Sequence, residues 1–479
     1  MESVQHTYRL HLTAEDQRRN PYSLIPFDVP HRVARLAVVY EFRSALEVGR
    51  VGKESGSVVD LGLFDPRGCD LFTAQGFRGW SGSARSEVTL TPTQATPGYL
   101  PGPLYPGTWH VLLGFSQIAP EGCDVTVQVT LTPGDQDGTS QAADGPLSVS
   151  VRVVRDGPDW YRGDLHCHTH HSDATAEVAT LVDVARAQGL DFLAVTDHNT
   201  VSHFPELVQH SGPDLLLIPG TEITTHRGHA NVWGGRTWLE FRVCTDEEIR
   251  RVREQARDQG ALFSINHPKE GGPDWQFGTT AGADAVEGWQ APWWLSNHVS
   301  LGFWDRLLRE GTRPTLVGGS DKHQGPYDGS LSLYELGTPT TWVYARSLSE
   351  EEILAGIRAG HVYVSQDPSG PRLEFTAQCG DEAVMMGDEL RVPPEGIVSF
   401  RCRVVGAERG WLLRAIDMDG EAFHVAIAGA DFSYAWQVDV KADNYLRVEV
   451  IEPPLAPLDE EPSALFVFAA SNPIYVRCG

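Results

Sequence analysis

Hydrophobic and polar residues alternate along the first part of the chain in short stretches that Pro and Gly interrupt. The stretches extend from about residue 8 to 131 and include a clear run of alternation at 125–131. A period of two with frequent turns is typical of half-buried β-strands, as in a sandwich or jelly roll. The polar segment 133–146 predicts a linker or long loop, and a last alternating strand is predicted at 149–153.

The pattern changes to repeated strand and helix signals between residues 156 and 365. Helices are predicted after Asp173, after a capping box of Thr245 and Glu248, and after Ser349. The strands predicted in this region are 192–196, 262–265, 314–319 and 361–364. Because strands that alternate with helices form parallel βα units, the pattern predicts an α/β domain here.

Alternation with a period of two returns beyond residue 365. It is clearest at 398–404 and 446–450, where apolar residues interleave with Ser and Arg or with other polar residues. We therefore expect a second β domain at the end of the chain. The predicted architecture is a multidomain α/β plus β protein with domains at 1–155, 156–365 and 366–479.

Composition limits the expected partners and location. The 38 Lys and Arg against 64 Asp and Glu give a formal net charge of −26, which repels polyanions and acidic membrane surfaces. Long nucleic acids and membranes are therefore not expected as partners. The seven cysteines contain no C-x-x-C pair, so neither a disulfide framework nor a thiolate zinc site is predicted. No apolar run has signal-peptide or membrane-spanning length, and we expect a cytoplasmic, soluble protein.

Histidines are densest in the segment GDLHCHTHHSD at 163–173. His166 and His168 are two residues apart, so on an extended segment both imidazoles project to the same side and can bind one ion. Asp173 offers a carboxylate close by, whereas Cys167 is expected to point away and pack. An H-x-H pair alone is a modest signal, because two surface histidines can have the same spacing.

Further His and acidic residues follow the predicted strands of the middle region. They are Asp197, His198, Glu222, His226, His229, His267, Asp321 and His323. In a closed parallel barrel the carboxyl ends of all strands converge at one mouth, and catalytic groups come from those ends. Solvated polar residues placed by chance would not prefer that face so consistently. The sequence therefore favours a metal site over a surface cluster.

The order of these motifs resembles the PHP (polymerase and histidinol phosphatase) family of metal-dependent hydrolases. HxH followed by SD, then TDH, a Glu with a later His, a strand-end His and DxH cover about residues 160–365. The chain as a whole is similar to the CehA/McbA branch, in which a β domain precedes the PHP module. The resemblance implies a distorted (β/α)7 barrel, flanked by a β-sandwich or jelly-roll-like domain and a C-terminal β domain.

The resemblance also implies two or three divalent metal ions. The ligands of the three ions would be His166, His168, Glu222 and Asp321 for the first, a bridging Glu222 with His229 and His267 for the second, and Asp173, His198 and His323 for the third. Such nitrogen and oxygen donors suit zinc, manganese or iron. Clustered ions lower the pKa of bound water, which implies hydrolysis by a metal-bound hydroxide. Asp197 is expected to orient His198 or a neighbour.

Candidate substrate-binding residues follow from position alone. Arg227, Lys269 and Lys322 each lie beside a presumed ligand and can contact a phosphate or another anion. The alternative is that each is solvated or salt-bridged. Lys269 is the preferred candidate and, with Asp197, the candidate catalytic residue.

Three functions are consistent with the sequence. The first is a phosphoesterase for small phosphate mono- or diesters, the commonest activity in the resembled superfamily, and the second is a carbamate or carboxyl-ester hydrolase. The third is a non-catalytic binding module on a PHP scaffold, and homo-oligomerisation through the β domains is left open. Cationic groups over the metals would separate the first two, because a dianionic phosphate needs them and a neutral carbamate does not.

Overall fold

A computed structural model gives the structure of the protein. It describes residues 3–43, 56–135, 153–270, 274–278, 282–325, 334–394, 396–453 and 465–479. Most of the predicted linker at 133–146 and of the predicted strand at 149–153 therefore lies outside the described residues. Among the described helices, none has the length and apolar character needed to cross a membrane.

The first 135 residues form a β-sandwich. Its elements are β1 (Val4–Leu12), α1 (Ala14–Arg19), β2 (Tyr22–Val29), β3 (Val33–Phe42), β4 (Val58–Phe64), β5 (Phe77–Gly82), β6 (Glu87–Leu90), β7 (Gly107–Gln117) and β8 (Cys123–Pro133). The two four-stranded sheets have the strand orders β1-β8-β3-β6 and β2-β7-β4-β5. Val38 and Val127 of one sheet share an apolar core with Leu61 and Val111 of the other, as the period-two pattern predicts.

The middle region, residues 155–365, alternates strands with helices. Its elements are β9 (Arg155–Asp164), α2 (Val178–Ala187), β10 (Phe192–Val195), α3 (Phe204–His210), β11 (Leu216–Thr225), β12 (Gly228–Trp233), α4 (Asp246–Asp258), β13 (Leu262–Ile265), β14 (Ala285–Gln290), α5 (Asn297–Arg309), β15 (Thr315–Gly319), β16 (Thr340–Leu348), α6 (Glu350–Ala359) and β17 (Val362–Ser365). The predicted capping box is present, since Thr245 accepts from the backbone N–H of Glu248 and the Glu248 side chain accepts from that of Thr245. Ser349 caps α6 in a similar way.

The sheet of the middle region is not uniformly parallel, in contrast to the parallel βα units that the pattern predicts. β9, β10 and β11 are parallel neighbours, as are β13, β14 and β15, but β12 pairs antiparallel with both β11 and β13, and β16 pairs antiparallel with β9. The described part of this region contains five helices, α2 to α6. β12 runs antiparallel to β11 because a tight hairpin joins the two strands. Gly228 in this hairpin has a φ of +133°, which favours glycine.

Side chains connect the two ends of this curved sheet. Thr341 Oγ1 accepts from the N–H of Gly318, 2.8 Å away, and donates to the Gly318 carbonyl at 2.7 Å. Asn472 similarly accepts from the N–H of Leu316 and donates to its carbonyl. Thr341 thereby joins β16 to β15 without a strand ladder, and Asn472 joins β15 to the segment between β26 and β27.

The remaining strands are β18 (Arg372–Cys379), β19 (Glu382–Met385), β20 (Glu389–Val392), β21 (Ile397–Val405), β22 (Leu412–Asp417), β23 (Gly420–Ala426), β24 (Asp431–Asp439), β25 (Asn444–Ile451), β26 (Val467–Ser471) and β27 (Ile474–Cys478). β19, β18, β21 and β24 form a separate antiparallel sheet, whereas β26 pairs with β17 of the middle region. The sheet therefore continues across the boundary expected at residue 365. Arg447 adds a link, because its guanidinium donates to Asp305 of α5 at 2.8 Å.

The sandwich packs against the middle region through aromatic side chains. Phe77 stacks on Trp238 with ring centroids 4.3 Å apart, and Trp80 contacts Phe241 at 4.7 Å. These contacts belong to one apolar cluster that includes residues of both regions. They fix the outer face of the β2-β7-β4-β5 sheet next to the loops that carry the histidines.

Candidate metal centre

The H-x-H pair lies directly after β9, where the chain enters the interior. The side chains of His166 and His168 are both fully buried, with their Nε2 atoms 3.1 Å apart. Cys167 projects to the opposite side, where its thiol lies 3.4 Å from the Ala194 carbonyl oxygen in an apolar cluster. The alternation predicted from the sequence is therefore observed, and the two imidazoles face one point.

Glu222 stands between the two sets of histidines. Its Oε1 lies 3.2 Å from His229 Nδ1 and 3.3 Å from His267 Nε2, while its Oε2 lies 2.8 Å from His198 Nδ1. Oε2 is also 3.5 Å from the Nε2 atom of His166. Burial alone would raise the pKa of Glu222, but the surrounding imidazoles hold it well below its usual value. The carboxylate therefore has imidazole nitrogens within 3.5 Å of both of its oxygen atoms.

Asp173, His198 and His323 form the more exposed side of the centre. Asp173 Oδ1 lies 3.5 Å from His198 Nε2 and 3.3 Å from His323 Nε2, and the Asp173 side chain is 47% exposed. Burial would lower the pKa of His323, but the carboxylates of Asp173 and Asp321 raise it to about 10. Asp173 is therefore more exposed than the buried residues His166, His168 and Glu222.

Asp321, two residues after the end of β15, is the last acidic residue among the predicted ligands. Its Oδ1 lies 3.2 Å from His166 Nε2 and 3.0 Å from His168 Nε2, and its Oδ2 accepts from Gln290 Nε2 at 2.8 Å. The backbone φ is +52° at Asp321 and +26° at His267, a region that non-glycine residues rarely adopt. Strained backbone of this kind persists at functional sites, where the surrounding structure holds it in place.

Three of the five groups of possible donor atoms in the described residues consist of predicted ligands and overlap one another. Within the described residues, the atoms of each group lie within 4.8 Å of one another in His166, His168 and Glu222, in Glu222, His229 and His267, and in His168, Asp173, His198 and His323. Asp321 contacts two members of the first group. Buried carboxylates and facing imidazole nitrogens at such distances suit divalent cations, which would satisfy several of these atoms at once.

His229, rather than His226, belongs to the centre. His229 is the second residue of β12, not a loop residue, because the antiparallel direction of β12 brings its first residues to the mouth. His226 lies in the hairpin, and its ring packs on Tyr22 of the sandwich with centroids 5.3 Å apart. The two histidines are three residues apart but have different surroundings.

Glu287, Asn266 and Gln290 support the ligands and were not predicted from the sequence. Glu287 Oε1 lies 2.9 Å from His166 Nδ1, and Asn266 Nδ2 donates to Glu222 Oε1 at 2.9 Å. Glu287 and Gln290 are on β14, a six-residue strand with only weak sequence signals. β14 lies between β13 and β15, and predicted ligands follow both of those strands. That order along the chain is the signal that could have pointed to residues of β14.

Of the three predicted cationic residues, Lys269 is the one whose partner also contacts a predicted ligand, because Gln290 donates to Asp321. Its buried ammonium donates to Asn297 Oδ1 at 2.8 Å and to the Gln290 carbonyl at 3.2 Å. Burial lowers the pKa of Lys269 to about 8, although Glu287 and Asp321 act to raise it. Lys269 is thus a positive charge held near two acidic residues of the site.

Arg227 and Lys322 do not fit the predicted substrate contacts. Arg227 donates to the backbone carbonyls of Cys244 and Gln276, 2.7 and 2.6 Å away. Lys322 is buried and donates to the Tyr334 carbonyl at 2.6 Å. Its ammonium is therefore engaged outside the set of predicted ligands.

A catalytic role for Asp197 does not fit either. The carboxylate is fully buried and accepts from the backbone N–H of Thr169 at 2.8 Å, from the Thr169 hydroxyl and from the Ser172 hydroxyl, both at 2.6 Å. His203 Nδ1 is 3.3 Å away. Asp197 therefore positions the turn that carries His168 and Asp173, which agrees with the expected role in orienting neighbours, but its partner is His203 rather than His198.

Comparison with known families assigns the class of this region. The family model of the PHP domain matches residues 164–251, which contain the H-x-H pair, Asp173, His198, Glu222 and His229. The chain therefore contains a PHP domain, as the motif order predicts. The match does not separate branches of the family, and the CehA/McbA likeness stays a prediction.

Two named relatives share short segments with the chain. A 5'-3' exoribonuclease Rnm of Salmonella typhimurium is 45% identical over 65 residues, which is 13% of this chain and 22% of that protein. A 5'-3' exoribonuclease of Haemophilus influenzae is 38% identical over 74 residues, 15% of this chain and 25% of that protein. The chain thus matches no more than about a quarter of the length of either relative.

Solved structures show weak overall similarity. A two-domain protein of Bacteroides vulgatus containing a predicted PHP-like metal-dependent phosphoesterase has a TM-score of 0.37 and 18% identity, covering 68% of this chain and 99% of that one. A putative metal-dependent phosphoesterase of Bifidobacterium adolescentis has a TM-score of 0.28 and 18% identity, covering 36% of this chain and 91% of that one. At these scores the likeness carries no argument about function.

Proposed function

We propose that the protein is a metal-dependent hydrolase that cleaves small phosphate mono- or diesters. One observation supports the proposal: eight of the nine candidate ligands fall in three donor groups that share Glu222 and His168, and Asp321 Oδ1 lies 3.0 Å from His168 Nε2. A centre with so many buried donors is more than a structural zinc site needs, since structural sites use four ligands.

The bound ions would supply the chemistry of clustered metals, which lower the pKa of water and offset charge on a phosphoryl oxygen. The chain's own residues hold and orient the reactants. Glu287 fixes the ring of His166, and Asp197 fixes the turn before Asp173. Lys269 would provide a positive charge near Glu287 and Asp321, as an anionic ester requires.

Hydrolysis of a carbamate or carboxyl ester is the second candidate, and a specific observation favours it. Arg227, Lys269 and Lys322 all donate to protein acceptors, and of the three Lys269 is the one whose partner Gln290 also contacts Asp321. A single buried cation suits a neutral or monoanionic ester better than a dianion. The two candidates therefore differ in how strongly turnover should depend on Lys269.

The proposed substrate is a small molecule rather than a long nucleic acid or a membrane surface. A formal net charge of −26 opposes the approach of long polyanions. The relatives named as exoribonucleases support phosphoester chemistry, but the shared segments are short. Turnover of long single-stranded RNA at physiological salt would contradict this part of the proposal.

The direct test is hydrolysis of an aryl phosphomonoester, an aryl phosphodiester, an aryl carbamate and a short 5'-phosphorylated RNA, before and after chelation and metal restoration. The matched pair of variants is His229→Asn and His226→Asn. Phosphoester turnover that chelation abolishes, that metal restores and that only His229→Asn impairs would support the first candidate. Carbamate turnover alone would favour the second, and equal effects of the two variants would contradict the site.

A further inference from the structure

Asp60 is a buried acidic residue of the sandwich that faces the metal centre. Along β4, the side chains of Val59, Leu61 and Leu63 enter the core of the sandwich. Because side chains alternate along a strand, Asp60 and Phe64 lie on the outer face, and Phe64 joins the apolar cluster shared with the middle region. Asp60 therefore projects from the face of the sandwich that is packed against the PHP domain.

The sandwich contacts the loops of the centre on both sides of Asp60. On the β2 side, Tyr22 packs on His226, three residues before His229. On the β5 side, the guanidinium of Arg85 donates to the backbone carbonyl of His170, and the N–H of Gly98 donates to Ser202 Oγ at 3.1 Å. Both contacted segments carry or adjoin metal-ligand residues, so the sheet spans the mouth.

The residues beside Asp60 in this sheet have no side chains. Gly114 pairs with Asp60 on β7, and a Cβ atom there would lie 3.1 Å from Asp60 Oδ2 and 2.6 Å from the Trp80 ring. Gly82, on β5, has a φ of +53°, and a Cβ atom there would lie 3.7 Å from Asp60 Oδ1. The glycines therefore let the Asp60 carboxyl group and the Trp80 ring lie side by side on this face of the sheet.

The carboxyl group of Asp60 has no compensating cation. Among the described residues no Lys or Arg forms an ion pair with it, and its hydrogen-bond donor is the exposed Ser116 hydroxyl. Burial raises the pKa of Asp60 to about 6, the Ser116 bond and His198 lower it, and Asp173 raises it. Tyr22 and Tyr40 are the other titratable groups that interact with it. Two ligands of the exposed side of the centre are thus within electrostatic reach of Asp60.

We propose that Asp60 is the proton donor to the leaving group in the hydrolysis proposed above, and that the sandwich is part of the active site. As water adds to phosphorus, the bond from phosphorus to the ester oxygen breaks and its electron pair stays on that oxygen. The oxygen takes the proton of the Asp60 carboxyl group and departs as an alcohol. Asp60 is left as a carboxylate, and the proton that the attacking water loses restores it.

The test compares two leaving groups in Asp60→Asn and in a control, Asp28→Asn, whose exposed carboxylate is on β2 of the same sheet. An alkyl phosphoester needs a proton on its leaving oxygen, whereas a 4-nitrophenyl ester does not. We expect Asp60→Asn to lower alkyl-ester kcat about 100-fold or more, while 4-nitrophenyl turnover falls less than about threefold. Asp28→Asn should change neither, and bound metal should be equal in all three proteins.

A second readout does not depend on turnover. The infrared difference between metal-loaded wild type and Asp60→Asn at pH 5 should show the carbonyl stretch of one protonated carboxyl group. Equal losses for both esters, no loss for either, or no such band would overturn the role of Asp60. If the metal-loaded wild type cleaves neither ester, the proposed function itself fails, which is a distinguishable result.

Discussion

Glu287→Gln is a substitution whose effect follows closely from the geometry. Glu287 Oε1 lies 2.9 Å from Nδ1 of His166, and Oε2 accepts from the backbone N–H of His267 at 3.1 Å. The other ring nitrogen of His166 is the one that faces His168 and Asp321. Glu287 therefore contacts the ring nitrogen of His166 that points away from the other predicted ligands. Loss of such a carboxylate partner typically weakens metal binding or activity about 10- to 100-fold, or about 1.4 to 2.7 kcal/mol.

The assay is competition between the protein and a chelating dye, with bound metal counted by elemental analysis. Glu254→Gln, an exposed change on α4, is the control. We expect Glu287→Gln to retain the full number of metal equivalents but to release one of them at a lower chelator concentration, while the control matches wild type. Unchanged metal affinity would refute the role of Glu287 in supporting His166. Loss of a whole metal equivalent would show that Glu287 is itself a ligand.

Three other predictions concern charge. Lys269→Met should lower phosphoester kcat/KM about 10- to 100-fold and leave carbamate turnover nearly unchanged, because a charged hydrogen bond to the substrate is lost; a parallel fall in both would contradict an anion-binding role. Arg227→Met should leave the KM of either substrate within about twofold, since its guanidinium is engaged with carbonyls. Glu449 is fully buried between Arg414 and Arg447, and although burial raises its pKa, these cations lower it to about 2. Against an ordinary 4.5, this is about 3 kcal/mol of stability, present above pH 4.5 and lost as the pH falls towards 2. Urea unfolding of the metal-free protein should show Glu449→Gln less stable at pH 7 by about that amount or more, with a smaller difference at pH 3.5; a difference independent of pH would contradict the linkage.

Alternation along extended segments accounts for most of the site that the sequence predicts. His166 and His168 face one point and Cys167 faces away, because successive side chains of an extended chain point to opposite sides. The rule does not extend to Lys322, because Asp321 before it has a φ of +52°, and the Lys322 ammonium donates to the Tyr334 carbonyl. Adjacency in sequence was therefore the wrong criterion for the substrate cations.

The direction of β12 and the role of Glu287 could not be read from local patterns. The segment between Glu222 and His229 is a hairpin whose turn depends on one glycine, and it reverses a strand in a sheet that was expected to be parallel. β14 is short and interrupted by Gly288, so it gives no clear strand signal. Both features depend on contacts between strands that are distant in sequence. The sandwich contact at Asp60 is of the same kind.

The central claim is that the converging histidines and carboxylates bind a cluster of divalent ions, and elemental analysis of the purified protein tests it most directly. After reconstitution with zinc, manganese or iron and removal of free metal, we expect at least two metal equivalents per chain in the wild type and fewer in Glu222→Gln. A preparation that retains no metal under any of these conditions would contradict it.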